Sequence, residues 1–242
     1  MTEILDTPAF LASIDDIALR SGQSKGALLE EARSDLKEMH SSRNFLAAKL
    51  FAALGRFIYR RGYNRHPVYD LDEIERVRTA SSERSVVFLV THKTYLDFFV
   101  LFDFLYRQNI PTPYIFGGLN MNFAGFGILA RHAGGIFIRR SFKDDDVYKL
   151  VLKHYVQSLI EKGACFMWAI EGTRSRTGKL LMPKLGLLNY VGDASRNLSA
   201  GAISYIPVSV AYDQIPDVAD MAAQEAGARK QPENLAWFMK YV

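Results

Sequence analysis

The sequence predicts an α/β domain: a largely parallel central sheet flanked by helices and preceded by a helical N-terminal region. Three observations carry this. Short apolar runs rich in β-branched residues recur after Ser85. Stretches of helical period separate them, an alternation that calls for crossover connections between parallel strands. Before residue 80 the pattern is helical throughout.

The helical region opens at Thr7-Pro8, an N-cap followed by a first-turn proline, with Phe10, Leu11, Ile14 and Ile17 on one face. Ser24 caps a second helix through Leu28, Leu29 and Leu36. A third covers Arg43 to Tyr59, broadly apolar with a basic stripe of Lys49, Arg56 and Arg60, and Arg61 and Arg65 follow it. The first strand is Val86–Val90. A helix at Leu96–Gln108, a strand at Tyr114–Phe116 and a glycine-rich helical piece ending at His132 come next. Then follow a strand at Gly135–Ile138, a helix at Asp144–Glu161, a strand at Cys165–Ile170, a helix at Leu185–Ala194 and a strand at Ile203–Ala211. The expected organisation is a helical region over 1–80, the α/β domain over 81–215, and the start of a further helical segment over 216–242. The chain stops inside a periodic stretch, Leu235-Ala236-Trp237-Phe238, so it reads as the front part of a longer protein.

Bulk composition narrows the function classes. Hydrophobic residues make up 49% of the 242, enough for one packed domain and an appendage. The balance of 30 Lys+Arg against 26 Asp+Glu suits an anionic partner without choosing one. The single cysteine, Cys165, excludes an intrachain disulfide. The uncharged stretch Gln108–Ala130 is broken by two prolines, four glycines and three asparagines, which argues against a membrane span. Any membrane contact is then expected from the side. The N-terminus lacks the basic and apolar regions of a signal peptide.

Three elements carry chemistry. His92 follows a buried strand and Asp97 lies five positions on. On one continuous helix they would stand about 140° apart. They meet only if His92 occupies the strand-to-helix turn and Asp97 the first helical turn. A carboxylate on one imidazole nitrogen fixes the tautomer and leaves the other to take a proton from a hydroxyl. Taken alone, the pair also fits a surface histidine near a helix start. The second element is the strand Gly134-Gly135-Ile136-Phe137-Ile138 ending in Arg139, Arg140 and Lys143, cations that suit a phosphate or a solvated strand end. The third is Glu171-Gly172-Thr173-Arg174-Ser175-Arg176, again after a strand. Loops at the carboxyl ends of parallel strands are where such sheets bind ligands.

Two look-alikes fail on detail. Gly172…Gly178-Lys179 approximates a P-loop, but its spacing is one residue too long and Leu180 stands where a magnesium-binding hydroxyl belongs. Gly125-Phe126-Gly127-Ile128-Leu129-Ala130, with Asp145 at a suitable distance, approximates a dinucleotide fingerprint, but Asn120-Met121-Asn122 precede it where a strand should stand. No GxSxG and no metal-ligand spacing occur, and Cys165 sits in the apolar run CFMW as an inert buried thiol.

His92–Asp97, GGIFIRR (134–140), EGTRS (171–175) and IPVSV (206–210, with Pro207), in that order, resemble the glycerolipid acyltransferase family over residues 85 to 213. Arg139-Arg140 and the stretch EGTRSRTGK followed by Pro183-Lys184-Leu185-Gly186 look like the branch that acylates glycerol 3-phosphate or dihydroxyacetone phosphate, in texture the long bacterial enzymes. The resemblance implies acyl transfer from acyl-CoA or acyl-carrier protein to the 1-hydroxyl of glycerol 3-phosphate, the first step of phospholipid synthesis. It implies His92 and Asp97 as the catalytic pair. Arg139, Arg140, Lys143, Glu171, Gly172, Thr173, Arg174, Ser175, Arg176 and Lys184 would bind substrate. No metal, cofactor or nucleic acid is expected, and the place of work is the cytoplasmic face of the cell membrane, peripherally. Dihydroxyacetone phosphate is the alternative acceptor. A lipid-binding module without turnover is the alternative of another class, and it would have no use for the histidine–aspartate pair.

Overall fold

A computed structural model describes residues 2–63, 67–94, 96–119, 126–175, 177–196, 198, 201–214 and 218–227. A short 3-10 turn (Thr2–Ile4) leads into α1 (Pro8–Ser21) and α2 (Lys25–Met39), each with the expected cap: the Thr7 and Ser24 hydroxyls accept from the Phe10 and Ala27 N–H groups. Asn44 caps α3 (Phe45–Arg60), and Asp70 caps α4 (Leu71–Glu83). The alternating part is β1 (Ser85–Val90), α5 (Leu96–Arg107), β2 (Tyr114–Gly118), α6 (Phe126–Ala133), β3 (Gly135–Ile138), α7 (Asp146–Glu161), β4 (Phe166–Ala169), α8 (Gly186–Ser195) and β5 (Ile203–Val208). After it comes α9 (Val218–Glu225); the periodic stretch at 235–238 lies outside the described residues.

The five strands pair in the order β3-β2-β4-β1-β5, all in parallel. From β1 the chain steps outward to β2 and β3, then turns back to β4 and crosses to β5. A right-handed crossover fixes which face its helix covers, so reversing direction moves the helices to the other face. Accordingly α5 and α6 lie on one face and α7 and α8 on the other. The N-terminal helices divide between the same layers: α1 and α2 pack on α7, while α3 packs on α5 and α6, with α4 in the same layer against β1. Strand side chains alternate between the layers. Val86, Phe88, Val90 and Met167 face α5, whereas Val87, Phe166 and Trp168 face α7. β5 is an edge strand, which is why Pro207 is tolerated opposite Leu89.

Bulk on α3 is distributed in an unusual way. Its buried face carries Ala47, Ala48, Ala52 and Gly55 beside Phe51, Ile58 and Tyr59. Phe45, Leu46, Leu50 and Phe57 stand more than half exposed. Small residues inside let the helix lie close to α5: a Cβ on Gly55 would stand 3.0 Å from the Phe99 carbonyl oxygen and 3.2 Å from its Cβ. Backbone cannot yield there. Gly55→Val is therefore expected to destabilise the fold by about 1–3 kcal/mol, read as a lower urea midpoint at an unchanged m-value.

Candidate active site

β1 and β4 are neighbours whose following helices leave to opposite faces. That divergence opens a crevice at their carboxyl ends, the usual ligand position in a doubly wound sheet. The first and third sequence elements meet there. His92 lies in the turn after β1, and Asp97 is the second residue of α5. Their side chains meet, His92 Nδ1 to Asp97 Oδ2, at 3.1 Å. The same oxygen accepts from the Lys93 N–H at 2.7 Å and the Thr94 N–H at 2.9 Å. Asp97 thus acts as the cap of its own turn while gripping the imidazole. Its side chain is 2% exposed and that of His92 14%, and Phe98 stands edge-on to the imidazole. A neutral imidazole whose Nδ1 meets a carboxylate carries its proton there, which leaves Nε2 as the nitrogen that could accept one.

The loop after β4 is tied to this turn. The Ser175 N–H donates to the His92 carbonyl at 2.8 Å, and the Ile170 N–H donates to the Val90 carbonyl at 3.1 Å. Glu171 is buried, with Oε2 lacking a hydrogen-bond partner among the described residues, while Gly172 and Thr173 are exposed and Arg174 is half-buried. Gly172 takes a left-handed φ of 68°, and a Cβ there would meet the Lys184 stem at 2.8 Å. Glycine at this point lets the exposed Lys184 lie across the loop, anchored by its N–H on the Ile170 carbonyl. Ser175 is fully buried and its hydroxyl donates to the Lys179 carbonyl at 2.7 Å, so it shapes the loop from inside. Arg176 lies outside the described residues.

The second element divides. Arg140 and Lys143 are exposed beyond β3. Arg139 turns to the α2 side of the sheet, where its guanidinium meets Asp35 at 2.7 Å, Asp145 at 2.9 Å and Glu38 at 3.0 Å, over the Tyr148 ring. Three carboxylates occupy the fork read from the sequence as a phosphate ligand. Asp145, which matched the spacing of a dinucleotide fingerprint, caps α7 and pairs with this arginine. Glu31, Asp35 and Asp145 bring carboxylate oxygens within 4.8 Å of one another, a grouping that could hold a metal ion. The cation beside it in the structure is Arg139.

Sequence reasoning missed Tyr212, whose hydroxyl donates to Asp97 Oδ1 at 2.8 Å across 115 residues of separation. No spacing rule ties the two positions; the only available signal is that Tyr212 follows the last strand. Cys165 is buried at the amino end of β4, with burial pushing its thiol up. The four residues of β4 put it roughly 13 Å from the carboxyl edge, which fits its reading as packing. Cavities of about 410 and 520 Å³ lie against Leu89–Tyr205 and Arg43–Tyr114, away from the dyad.

The family described as Acyltransferase matches residues 68–211. Proteins of Mycobacterium tuberculosis and Mycobacterium bovis, provisionally named acyltransferase plsB1, are 32% identical over 240 residues, covering 99% of this chain and 38% of theirs. A protein of Histophilus somni named glycerol-3-phosphate acyltransferase is 31% identical over 241 residues, covering 99% of this chain and 29% of its own. The chain thus spans under two-fifths of the length of these relatives.

The Arg139 cluster yields a test that separates structure from substrate binding. Burial pushes the Asp35 carboxyl up to about 6, against the pull of Arg139. A carboxyl raised in the fold favours folding below its unfolded value near 3.8 and costs stability as pH rises toward 6. Removing Arg139 removes the opposing pull. Arg139→Ala is expected to lose about 2–3 kcal/mol at pH 8 and less at pH 5, measured by urea unfolding. Activity per folded molecule should hold.

Proposed function

The chain belongs to the acyltransferase family, and from that premise we propose that it moves a fatty acyl group from a thioester to the 1-hydroxyl of glycerol 3-phosphate. The observation that carries the reading is the 3.1 Å contact of His92 Nδ1 with the buried Asp97 at the β1–β4 crevice. His92 Nε2 takes the hydroxyl proton as the oxygen attacks the thioester carbonyl carbon. The tetrahedral adduct collapses, the carbon–sulfur bond breaks, and the thiolate leaves with that proton. Asp97 holds the ring and stabilises the imidazolium formed in between.

The basic loops at the crevice suit the phosphate of the acceptor. Arg174 and Lys184 stand on the loop bonded to the His92 turn. Arg140 and Lys143 begin two strands from β4, roughly 10 Å away at ordinary strand spacing. A dianion between these groups would hold the hydroxyl near His92, and such positioning contributes to rate by removing orientational freedom. Arg176, which the resemblance also implies, lies outside the described residues, and Arg139 is engaged by Asp35, Glu38 and Asp145 instead. Leu180 and Met182, exposed beside this loop, suit the acyl chain of the donor. The name of the Histophilus somni relative supports glycerol 3-phosphate as acceptor.

The test is thioester release from acyl-CoA and from acyl-carrier protein, with glycerol 3-phosphate and dihydroxyacetone phosphate as acceptors. Transfer to glycerol 3-phosphate is expected. His92→Ala should abolish it with the fold retained, and Asp97→Asn should lower it by ~10³–10⁴. Activity near wild type in folded His92→Ala would sink the reading; preference for dihydroxyacetone phosphate would change the acceptor.

The work site proposed is a membrane surface, met peripherally. Among the described residues no helix is long and apolar enough to cross a membrane. The exposed side of α3 combines Leu46, Leu50 and Phe57 with Lys49, Arg60 and Arg61, a composition suited to an anionic interface. Each basic group near such a surface contributes on the order of 1 kcal/mol. Co-sedimentation should favour anionic over neutral vesicles and weaken with salt. Binding unchanged when Leu46 and Leu50 become serine and Lys49, Arg60 and Arg61 become glutamine would remove α3 from this role.

A further inference from the structure

We infer that Tyr212 is a positioning residue of the dyad: through its hydrogen bond to Asp97 it sets the carboxylate that orients His92. The inference rests on the acyl-transfer reading for its kinetic consequence, though not for its geometry.

A carboxylate offers about four lone-pair sites. In Asp97, Oδ2 accepts from the His92 ring, the Lys93 N–H and the Thr94 N–H. All three come from the turn that the dyad itself occupies, so they move with it. Oδ1 accepts from Tyr212 at 2.8 Å, and this donor comes from a different part of the chain. Asp97 is 1% exposed. Without that hydroxyl a buried, charged oxygen would lose a charge-assisted partner, and the carboxylate could rotate about its carbon–carbon bond. Rotation would move Oδ2 off the imidazole and release the Nδ1 tautomer that base chemistry needs.

Tyr212 is itself held. β5 ends at Val208, and the ladder closes with the Thr91 N–H on the Val208 carbonyl at 3.1 Å. The chain then leaves the sheet and brings Tyr212 back over the first turn of α5. Its ring packs on Tyr63 at 5.6 Å, and the Tyr63 hydroxyl donates to the Gln214 carbonyl. The segment after α3 therefore closes over the loop that carries Tyr212. Tyr63 thus braces the loop of Tyr212, and Tyr212 alone of the two bonds the carboxylate oxygen.

Tyr212→Phe keeps the ring and its contact with Tyr63 and removes only the hydroxyl. The expected result is a kcat about tenfold lower, with KM for the acceptor and for the thioester within twofold and a thermal midpoint lowered by only a few degrees, the cost of one buried hydrogen bond. A purely structural tyrosine would lower the midpoint or raise KM and leave kcat in place. Tyr212→Leu is the companion: it should show the same kcat loss with an added loss of stability. A readout independent of turnover is the ¹⁵N spectrum of histidine-labelled protein, with His92 assigned by its absence in His92→Ala. The wild type should show His92 as the Nδ1–H tautomer, and Tyr212→Phe should show a mixture. Unchanged tautomer and unchanged kcat in folded Tyr212→Phe would overturn the inference. If the wild type transfers no acyl group but the tautomer shift appears, the positioning stands and the acyl-transfer reading fails.

Discussion

The handedness of the crossover between parallel strands governs this molecule. β1 connects outward through α5, and β4 connects the other way through α8. A right-handed path in both cases sends the two helices to opposite faces. The two adjacent strands therefore lose their helical cover on divergent sides, and their carboxyl ends stand open between the layers. His92 and the Glu171–Ser175 loop occupy those ends because they follow those strands directly. At the amino end of β4 the buried Cys165 carbonyl accepts the Tyr114 N–H at 2.7 Å, joining β4 to β2.

Within the crevice, the cost of burying a charge organises the chain. A carboxylate as enclosed as Asp97 needs donors for both oxygens. Local backbone supplies two, both to Oδ2, and supplying them turns the Lys93 and Thr94 N–H groups back onto Asp97 at the start of α5. His92 then has one place to stand. The same principle works around Arg139 on the other side of the sheet, where Asp35 and its neighbours surround a single guanidinium. One charge cluster faces the crevice and the other ties α2 to the end of β3.

Much of this was legible in the residues because the signals are local. Caps at Thr7 and Ser24 and the apolar runs of all five strands depend on neighbours within one or two turns of chain, and the structure follows them within a few residues. The expected strand to Ala211 stops at Val208 because the chain leaves the ladder to carry Tyr212 to Asp97. Long-range choices were not legible. Arg139 and Arg140 are adjacent and chemically identical, and nothing in their order says that α2 would bring Asp35 and Glu38 to the first and leave the second in solvent. Ser175 stands among the substrate ligands only through the resemblance of the EGTRS stretch; its burial depends on the turn to Lys179. Tyr212 carried no signal beyond its place after the last strand, since its partner lies 115 residues away.

The α3 helix joins these threads. A globular helix normally turns its large apolar residues inward and its small ones outward or to crossings. Here alanines and Gly55 face α5, and Phe45, Leu46, Leu50 and Phe57 face out. Close approach of the two helices is the physical reason: with the Phe99 carbonyl 3.0 Å from where a Gly55 Cβ would stand, no larger residue fits between them. The displaced bulk has to go to the outside. α5 begins with the turn that holds Asp97, so the outward apolar stripe and the dyad sit on two helices in direct backbone contact. After α3 the chain reaches Tyr63, which packs on Tyr212, and Tyr212 bonds Asp97. The stripe is thus fixed relative to the dyad twice, through Gly55 on Phe99 and through Tyr63 on Tyr212. Any surface that engages α3 meets a molecule whose candidate base is held at a set distance and orientation from it.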